Sequence, residues 1–344
     1  MKIEIDQAPR ASDWDEVLRQ SGQGDYRQCY EYGEAVKRRG GGMLPVRFLA
    51  WSDRPLGVLQ GIRRNRPFSQ IVMGGSSGGG PSLIRLPKPE ATAVASALVS
   101  RVNEYARKNL ISRARVHRFE AAGLLDVLTG PHGYRVTRKA EIFLVDLPRE
   151  ASHAWGQMDP PKRRNVRQAS EKGVRVRASA DKADLSVFHD MFVRFAQDRG
   201  FQPFSFRHVE ALWDSFRPRD MIRVFIAESG NCPVASALVL NHLDTAFCPY
   251  TCYTPEAKDY RANDLLHWKV IEWGVSMGLS RYNMGEVFLD PSSAQHGVYR
   301  WKKGFGGHTE PMAILDRRFL TFAEPVEALL RRLRSRGGSL EIHA

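Results

Sequence analysis

The sequence predicts an α+β protein in which one supersecondary unit occurs twice. Three observations support this. Some stretches repeat apolar residues at spacings of three and four, while others are short β-branched or aromatic runs, so helices alternate with strands. The strand-like runs come in threes joined by short turns, the pattern of an antiparallel meander. The order helices, three strands, helix, strand then appears once in each half of a chain whose 344 residues suit two domains or one large one.

In the first copy, helical periodicity over residues 14–18 and 30–38 precedes strand-like runs at 44–51, 56–62 and 70–73. Ser52-Asp53-Arg54-Pro55 supplies turn chemistry between the first two runs. Val94, Leu98, Val102 and Tyr105 share one helical face, and a strand follows at 114–119. In the second copy, Leu185, Phe188, Phe192 and Phe195 form the first stripe, which Gly200 ends as a C-terminal cap. Strands are expected at 221–228, 234–241 and 245–253, the first pair closed by Gly230-Asn231. Leu266, Val270, Trp273 and Met277 trace the next helix, Gly278 stops it, and 279–284 is the last strand. The repeat places the domains at 1–148 and 149–317.

Composition narrows the partners. Lys and Arg total 51 against 38 Asp and Glu, a net charge of +13. Such an excess favours an anionic partner: a nucleic acid, a lipid head group or a phosphorylated precursor. No apolar run approaches the ~20 residues of a membrane-spanning helix, and the first six residues lack the apolar core of a signal peptide. A cytoplasmic location is expected. Cys29, Cys232, Cys248 and Cys252 form no CxxC pair and have no His pair at ligand spacing, so they read as reduced thiols and no metal site is expected.

Three segments carry more than periodicity: Gln28-Cys29-Tyr30-Glu31-Tyr32-Gly33-Glu34-Ala35-Val36-Lys37, Lys162-Arg163-Arg164-Asn165-Val166-Arg167-Gln168-Ala169, and the run from His296 through Tyr299-Arg300-Trp301-Lys302-Lys303-Gly304-Phe305-Gly306. In this order, with the doubled unit, they resemble the FemABX aminoacyltransferases, which are built from two GNAT-type (acyl-CoA N-acyltransferase fold) units. The resemblance covers nearly the whole chain. It implies two tandem GNAT-like domains. Apolar heptads nowhere persist for the three or four repeats a coiled coil needs, so the armless type is expected. The tail 318–344, with Val326, Leu329, Leu330 and Leu333 on one stripe, is expected to be a helix that packs back on the first domain.

The resemblance also implies roles. Trp301-Lys302 matches the family's catalytic Phe-Lys pair, with Trp in place of Phe. A fixed ammonium there would stabilise the oxyanion formed in acyl transfer, although the same run also reads as a solvated basic turn. Lys37 matches a lysine that grips the phosphates of a nucleotide- or lipid-linked muropeptide, and Arg199 an arginine with the same task. Both also read as cations complementing a helix C-terminus. Gln197 stands where the family motif has Thr, which removes a hydroxyl contact. Tyr250 and Tyr253 are candidates to line the groove. Lys162, Arg163, Arg164 and Arg167 follow Asp159-Pro160-Pro161 as a basic helix start that, with Lys303, would contact tRNA phosphates; the alternative is a solvated charged face. Glu286 and Glu31 are candidates for a general base.

The acyl donor is addressed by the loop before the second unit's last helix. GNAT enzymes that use acetyl-CoA cradle its pyrophosphate on a Gly-rich turn at that helix N-terminus. Here the segment is Ala257-Lys258-Asp259-Tyr260-Arg261-Ala262-Asn263-Asp264, with no Gly and with an anion in the phosphate's place. The Gly-rich run at 74–80 lacks the P-loop ending and reads as a flexible loop. The expected function is transfer of an amino acid from aminoacyl-tRNA, as co-substrate, to an amine of a peptidoglycan precursor or similar acceptor. No cofactor is expected, and an anionic membrane is an expected peripheral contact. The rivals are an N-acyltransferase using a CoA or carrier-protein thioester in polysaccharide or secondary-metabolite biosynthesis, and a non-catalytic nucleic-acid-binding protein.

Overall fold

A computed structural model describes residues 2–22, 25–75, 77–120 and 123–320. Among the described residues the chain divides into two compact units, the first holding those up to Ala140 and 311–320, the second Glu141–Glu310. The sequence had put the divisions at 148/149 and 317/318.

The first unit contains β1 (Glu4–Asp6), α1 (Ala11–Ser21), α2 (Tyr30–Arg39), β2 (Met43–Trp51), β3 (Pro55–Arg64), β4 (Gln70–Met73), β5 (Ser82–Leu83), α3 (Lys88–Lys108), β6 (Arg113–Phe119) and α4 (Leu125–Thr129). Strand β7 (Arg135–Asp146) leads into the second unit, which contains α5 (Ala151–Gln157), α6 (Pro160–Glu171), β8 (Val174–Ser179), α7 (Asp184–Asp198), α8 (Phe206–Phe216), β9 (Ile222–Ser229), β10 (Cys232–His242), β11 (Thr245–Tyr253), α9 (Ala257–Tyr260), α10 (Ala262–Ser276), β12 (Arg281–Val287) and α11 (His296–Lys303). Strand β13 (His308–Arg318) returns the chain to the first unit. The tail helix expected over 318–344 falls outside the described residues except at 318–320, and Arg318 ends β13.

Each unit builds its sheet on the same plan. In the first, β2, β3 and β4 form the antiparallel meander, α3 crosses over, and β6 runs parallel to β4. In the second, β9, β10 and β11 form the meander, α10 crosses over, and β12 runs parallel to β11. The three strands are antiparallel because short turns join them, such as the two-residue Gly230-Asn231 with Gly230 at φ +61°. The fourth is parallel because a helix separates it from the third. In the second unit β8 extends one sheet edge and β7 pairs antiparallel with β12.

Of the predicted helical stripes, Leu185, Phe188 and Phe192 of α7 and Leu266 and Val270 of α10 lie in the core, Phe195 and Trp273 are partly buried, and Met277, just past α10, is 45% exposed. Helices α7 and α10 have 15 residues each, too short for a coiled-coil arm of three heptads. Among the described residues no helix is long and apolar enough to cross a membrane.

One local feature of the sheet sets up the site. Strands β11 and β12 pair only from Thr245 to Phe247 and from Arg281 to Asn283, so past those residues the two strands have no ladder between them. Nearby, the chain leaving α11 threads tightly past β7 and α5. A Cβ at Gly306, whose φ is +83°, would lie 2.3 Å from the Gln157 carbonyl oxygen, and one at Gly307 would lie 2.1 Å from that of Leu144. Both clashes are with backbone, so neither can relax cheaply. Gly307→Ala should destabilise the protein by about 4 kcal/mol, read as a fall in melting temperature. Gly297→Ala, where an added Cβ meets nothing within 4 Å, should leave it within about 1 kcal/mol of the parent.

Candidate active site in the second unit

The N-terminus of α10 is where the sequence left the donor open. Helix α9 is a single turn, and Arg261 takes the left-handed conformation (φ 58°, ψ 25°) that starts α10 one residue later. Asp264 sits in the first turn of α10 and is 6% exposed. Its Oδ1 accepts from Lys162 Nζ at 2.5 Å and from Trp301 Nε1 at 2.8 Å, and its Oδ2 from Asn165 Nδ2 at 3.3 Å. A helix N-terminus attracts an anion because its first N–H groups lack partners and the dipole adds about half a positive charge. Here the chain's own carboxylate occupies that field.

Lys162 supplies the counter-charge beside the carboxylate. It is one turn before Val166 on the inward face of α6, which Pro160 and Pro161 begin. Its ammonium lies 4.6 Å from the Trp301 ring centroid and 4.4 Å from that of Phe305. Gly304 leaves room for its stem, since a Cβ there would lie 2.7 Å from Lys162 Cε. Burial draws the ammonium below lysine's usual range and Asp264 pushes back. This corrects the expectation for Lys162: at 6% exposure, and paired with Asp264, it is not part of an RNA-facing surface. The sequence missed this because a charge run does not show which member faces the core.

Lys302 sits where β11 and β12 part. Its Nζ donates to the Met284 carbonyl at 2.6 Å, to Glu286 at 3.1 Å and to Gly285 at 3.4 Å. Those carbonyls belong to the stretch of β12 past its pairing with β11, so the ammonium takes the place of a missing strand neighbour. The side chain is 8% exposed, and burial lowers its pKa to about 8, with Cys248 and Glu286 opposing. All three N–H bonds are directed at carbonyls. A substrate oxygen would therefore displace the longest of them, the 3.4 Å contact to Gly285.

Two groups beside the lysines escaped sequence reading. His267, 4% exposed, has its Nδ1 at 2.7 Å from the Tyr282 hydroxyl. Burial, then Lys302 and Lys162, lower its pKa to about 3, so the imidazole is neutral. Cys248, just past the last paired residue of β11, has its Sγ 3.1 Å from Thr251 Oγ1. Burial raises its thiol pKa, and Lys302 is among the groups opposing that rise. Only the three- and four-residue spacing of α10, which put His267 next to the noted Leu266, hinted at the first.

The remaining candidates fall in separate places. Arg199, exposed at the end of α7, donates to the Tyr253 hydroxyl at 2.6 Å and lies 4.9 Å from the Phe195 ring centroid. Tyr250 instead meets His208 Nε2 at 2.8 Å within an aromatic group including Phe192 and Phe204. Arg163 donates to the carbonyls of Gly156 and Trp155, Arg164 and Arg167 are exposed on α6, and Lys303 is exposed at the end of α11. Glu286 lends its carbonyl to Lys302, and its side chain is half-buried. Lys37 and Glu31 are on α2 in the first unit, where Lys37 pairs with Glu34 at 2.9 Å. The structure thus gathers Trp301, Lys302 and Lys162 in one site and pairs Arg199 with Tyr253.

Removing one partner of a buried ion pair strands the other, which costs about 3–5 kcal/mol. Lys162→Met and Asp264→Leu should each lower stability by that amount. The double variant should recover most of it, read by denaturant unfolding, because the two charges disappear together.

Residues 162–303 match the family described as the acetyltransferase (GNAT) domain. No curated protein matches in sequence. In fold, the chain is similar to the crystal structure of FemX, with a TM-score of 0.76 at 13% identity over 96% of this chain and 100% of that one. It is also similar to a tandem GNAT protein from the clavulanic acid biosynthesis pathway, with a TM-score of 0.60 at 11% identity over 92% of this chain and 98% of that one. A third similar structure is the C-terminal domain of a putative lysylphosphatidylglycerol synthetase from Agrobacterium fabrum, with a TM-score of 0.59 at 14% identity over 96% and 100%. The doubled meander-helix-strand plan and the matched domain agree: the chain is an acyltransferase whose second unit carries a GNAT domain, on a tandem GNAT fold similar to that of FemX.

Proposed function

We propose that the protein is a non-ribosomal aminoacyltransferase that moves an amino acid from the 3′ ester of aminoacyl-tRNA to an amine of a peptidoglycan precursor or similar acceptor. The acceptor amine, once neutral, attacks the ester carbonyl and forms the C–N bond. The C–O bond to the ribose then breaks, the ribose 3′ oxygen takes up a proton, and the amine's proton goes to a base. The ester is already activated, so the reaction as written needs neither ATP nor a metal. The protein works in the cytoplasm in this reading, and its +13 charge suits peripheral contact with an anionic membrane.

The observation that carries the reading is the closed N-terminus of α10. With Asp264 seated there and Lys162 behind it, a pyrophosphate would have to displace a buried ion pair. That opposes CoA and leaves a donor held by other means. Lys302, in the gap between β11 and β12, would stabilise the oxyanion, and Trp301 would wall the acyl group. Lys37, and Arg199 with Tyr253 and Tyr250, would hold the acceptor. Arg163, Arg164, Arg167 and Lys303 would follow the tRNA backbone, and Glu286 or Glu31 would take the proton.

A carrier-protein thioester is the second reading, because such a donor needs no pyrophosphate cradle at α10 either. Following label from a mixture of charged tRNAs into a precursor pool separates the two. Transfer from tRNA is expected; transfer solely from a thioester would promote the second reading.

Lys302 adds a pH signature. Its pKa of about 8 lies below the usual lysine value because burial disfavours the charged form, so the ammonium persists below that pH and is lost above it. Transfer should therefore fall as pH rises through about 8. Lys302→Gln should lower kcat about 10²- to 10³-fold and abolish that falling limb. A variant that retains the wild-type rate and profile would exclude Lys302 from the chemistry.

A further inference from the structure

Helices α6 and α10 pack against each other, with Lys162 facing Asp264 and Lys172, just past the end of α6, donating to the Asp259 carbonyl ahead of α10. There the surface opens into a groove lined by Trp155, Val166, Arg167, Ser170, Leu265 and Trp268. Trp268 is one turn of α10 beyond Asp264, and Val166 one turn of α6 beyond Lys162, so the groove starts about 6 Å of helix rise from the buried ion pair. Its floor is a tryptophan pair. Trp155 and Trp268 meet edge-on at 4.9 Å between centroids and 68° between planes. Trp268 is 6% exposed and Trp155 partly exposed.

The rim is basic. The exposed guanidinium of Arg167 lies 5.4 Å from the Trp155 ring centroid. Arg163 sits on the Trp155 and Gly156 carbonyls, and Lys269 lines the groove. Against these three cations stand Glu171 and Glu272, the latter 2.6 Å from Lys269. A flat aromatic face covered by a swinging arginine, beside a run of cations, is the combination that takes a nucleobase together with its phosphates.

We propose that this groove binds an unpaired nucleotide at the single-stranded 3′ end of the donor RNA, with the base stacked on Trp155 and Arg167 moved onto the adjoining phosphate. The assignment rests on the aminoacyl-tRNA reading above and adds to it a stacking site one helical turn from the α10 N-terminus. A nucleotide held there would bring an attached 3′ ester toward Trp301, whose indole spans to Asp264.

The test uses the full chain and two probes, a seven-nucleotide single-stranded RNA and the same RNA annealed as a blunt duplex. The single strand should quench tryptophan fluorescence and bind more tightly than the duplex. Trp155→Ala should weaken single-strand binding about tenfold or more while leaving its salt slope unchanged. Arg167→Ala should reduce that slope by about 0.7, the value for one phosphate contact. Because Trp155→Ala also removes packing against Trp268, Ser170→Gln serves as a second variant. It fills the groove from an exposed position without changing charge, and should weaken the single strand equally. Wild-type affinity in both Trp155→Ala and Ser170→Gln, or equal binding of duplex and single strand, overturns the assignment. If those variants bind normally while the parent still moves label from aminoacyl-tRNA, the groove falls and the transferase reading stands. If the parent neither binds the RNA nor moves label, both fall.

Discussion

The second unit depends on what occupies the N-terminus of α10. An unfilled helix start of this kind draws in a phosphate, and the fold to which this unit belongs offers that start to a ligand. In this chain Asp264 puts a buried carboxylate into that first turn. The carboxylate is held in place by Lys162, Trp301 and Asn165, so α6, α10 and α11 meet around one charge. In the proposed reading that arrangement ties stability to specificity: the ion pair that joins three helices would also keep an external anion from the position.

A second substitution of the same type occurs in the sheet. Where β11 and β12 part, backbone carbonyls lose their ladder, and unpaired buried carbonyls are costly. Lys302 answers them with its ammonium. The lysine is thus structural before it is chemical, and its long contact to Gly285 is the weakest of the three. Lys302, whose buried ammonium faces carbonyls, acts on the neutral His267 and gives the site a positive field in a largely buried setting, while Lys162 is balanced by Asp264. Such a field suits the stabilisation of a developing oxyanion.

Much of the fold was legible because it rests on local pattern. The strands at 70–73 and 245–253 coincide with β4 and β11, and Gly200 and Gly230 adopt the positive φ that their turn roles require. Strands β7 and β13 were not foreseen. Their charged stretches, such as Arg135 to Lys139, alternate too weakly to separate a strand from a loop, and only pairing partners distant in sequence define them. The site was half legible. The lack of glycine before α10 marked the missing cradle, and the Trp301-Lys302 pair marked the site itself. Which of four consecutive-looking cations turns inward is decided by Asp264, about a hundred residues away, and no local spacing encodes that.

The most direct test of the closed helix start is a calorimetric titration of the intact protein with acetyl-CoA. With Asp264 seated on α10, no heat of binding should appear at millimolar ligand. Saturable binding in the micromolar range would mean that the ion pair yields to a pyrophosphate, and would contradict the account.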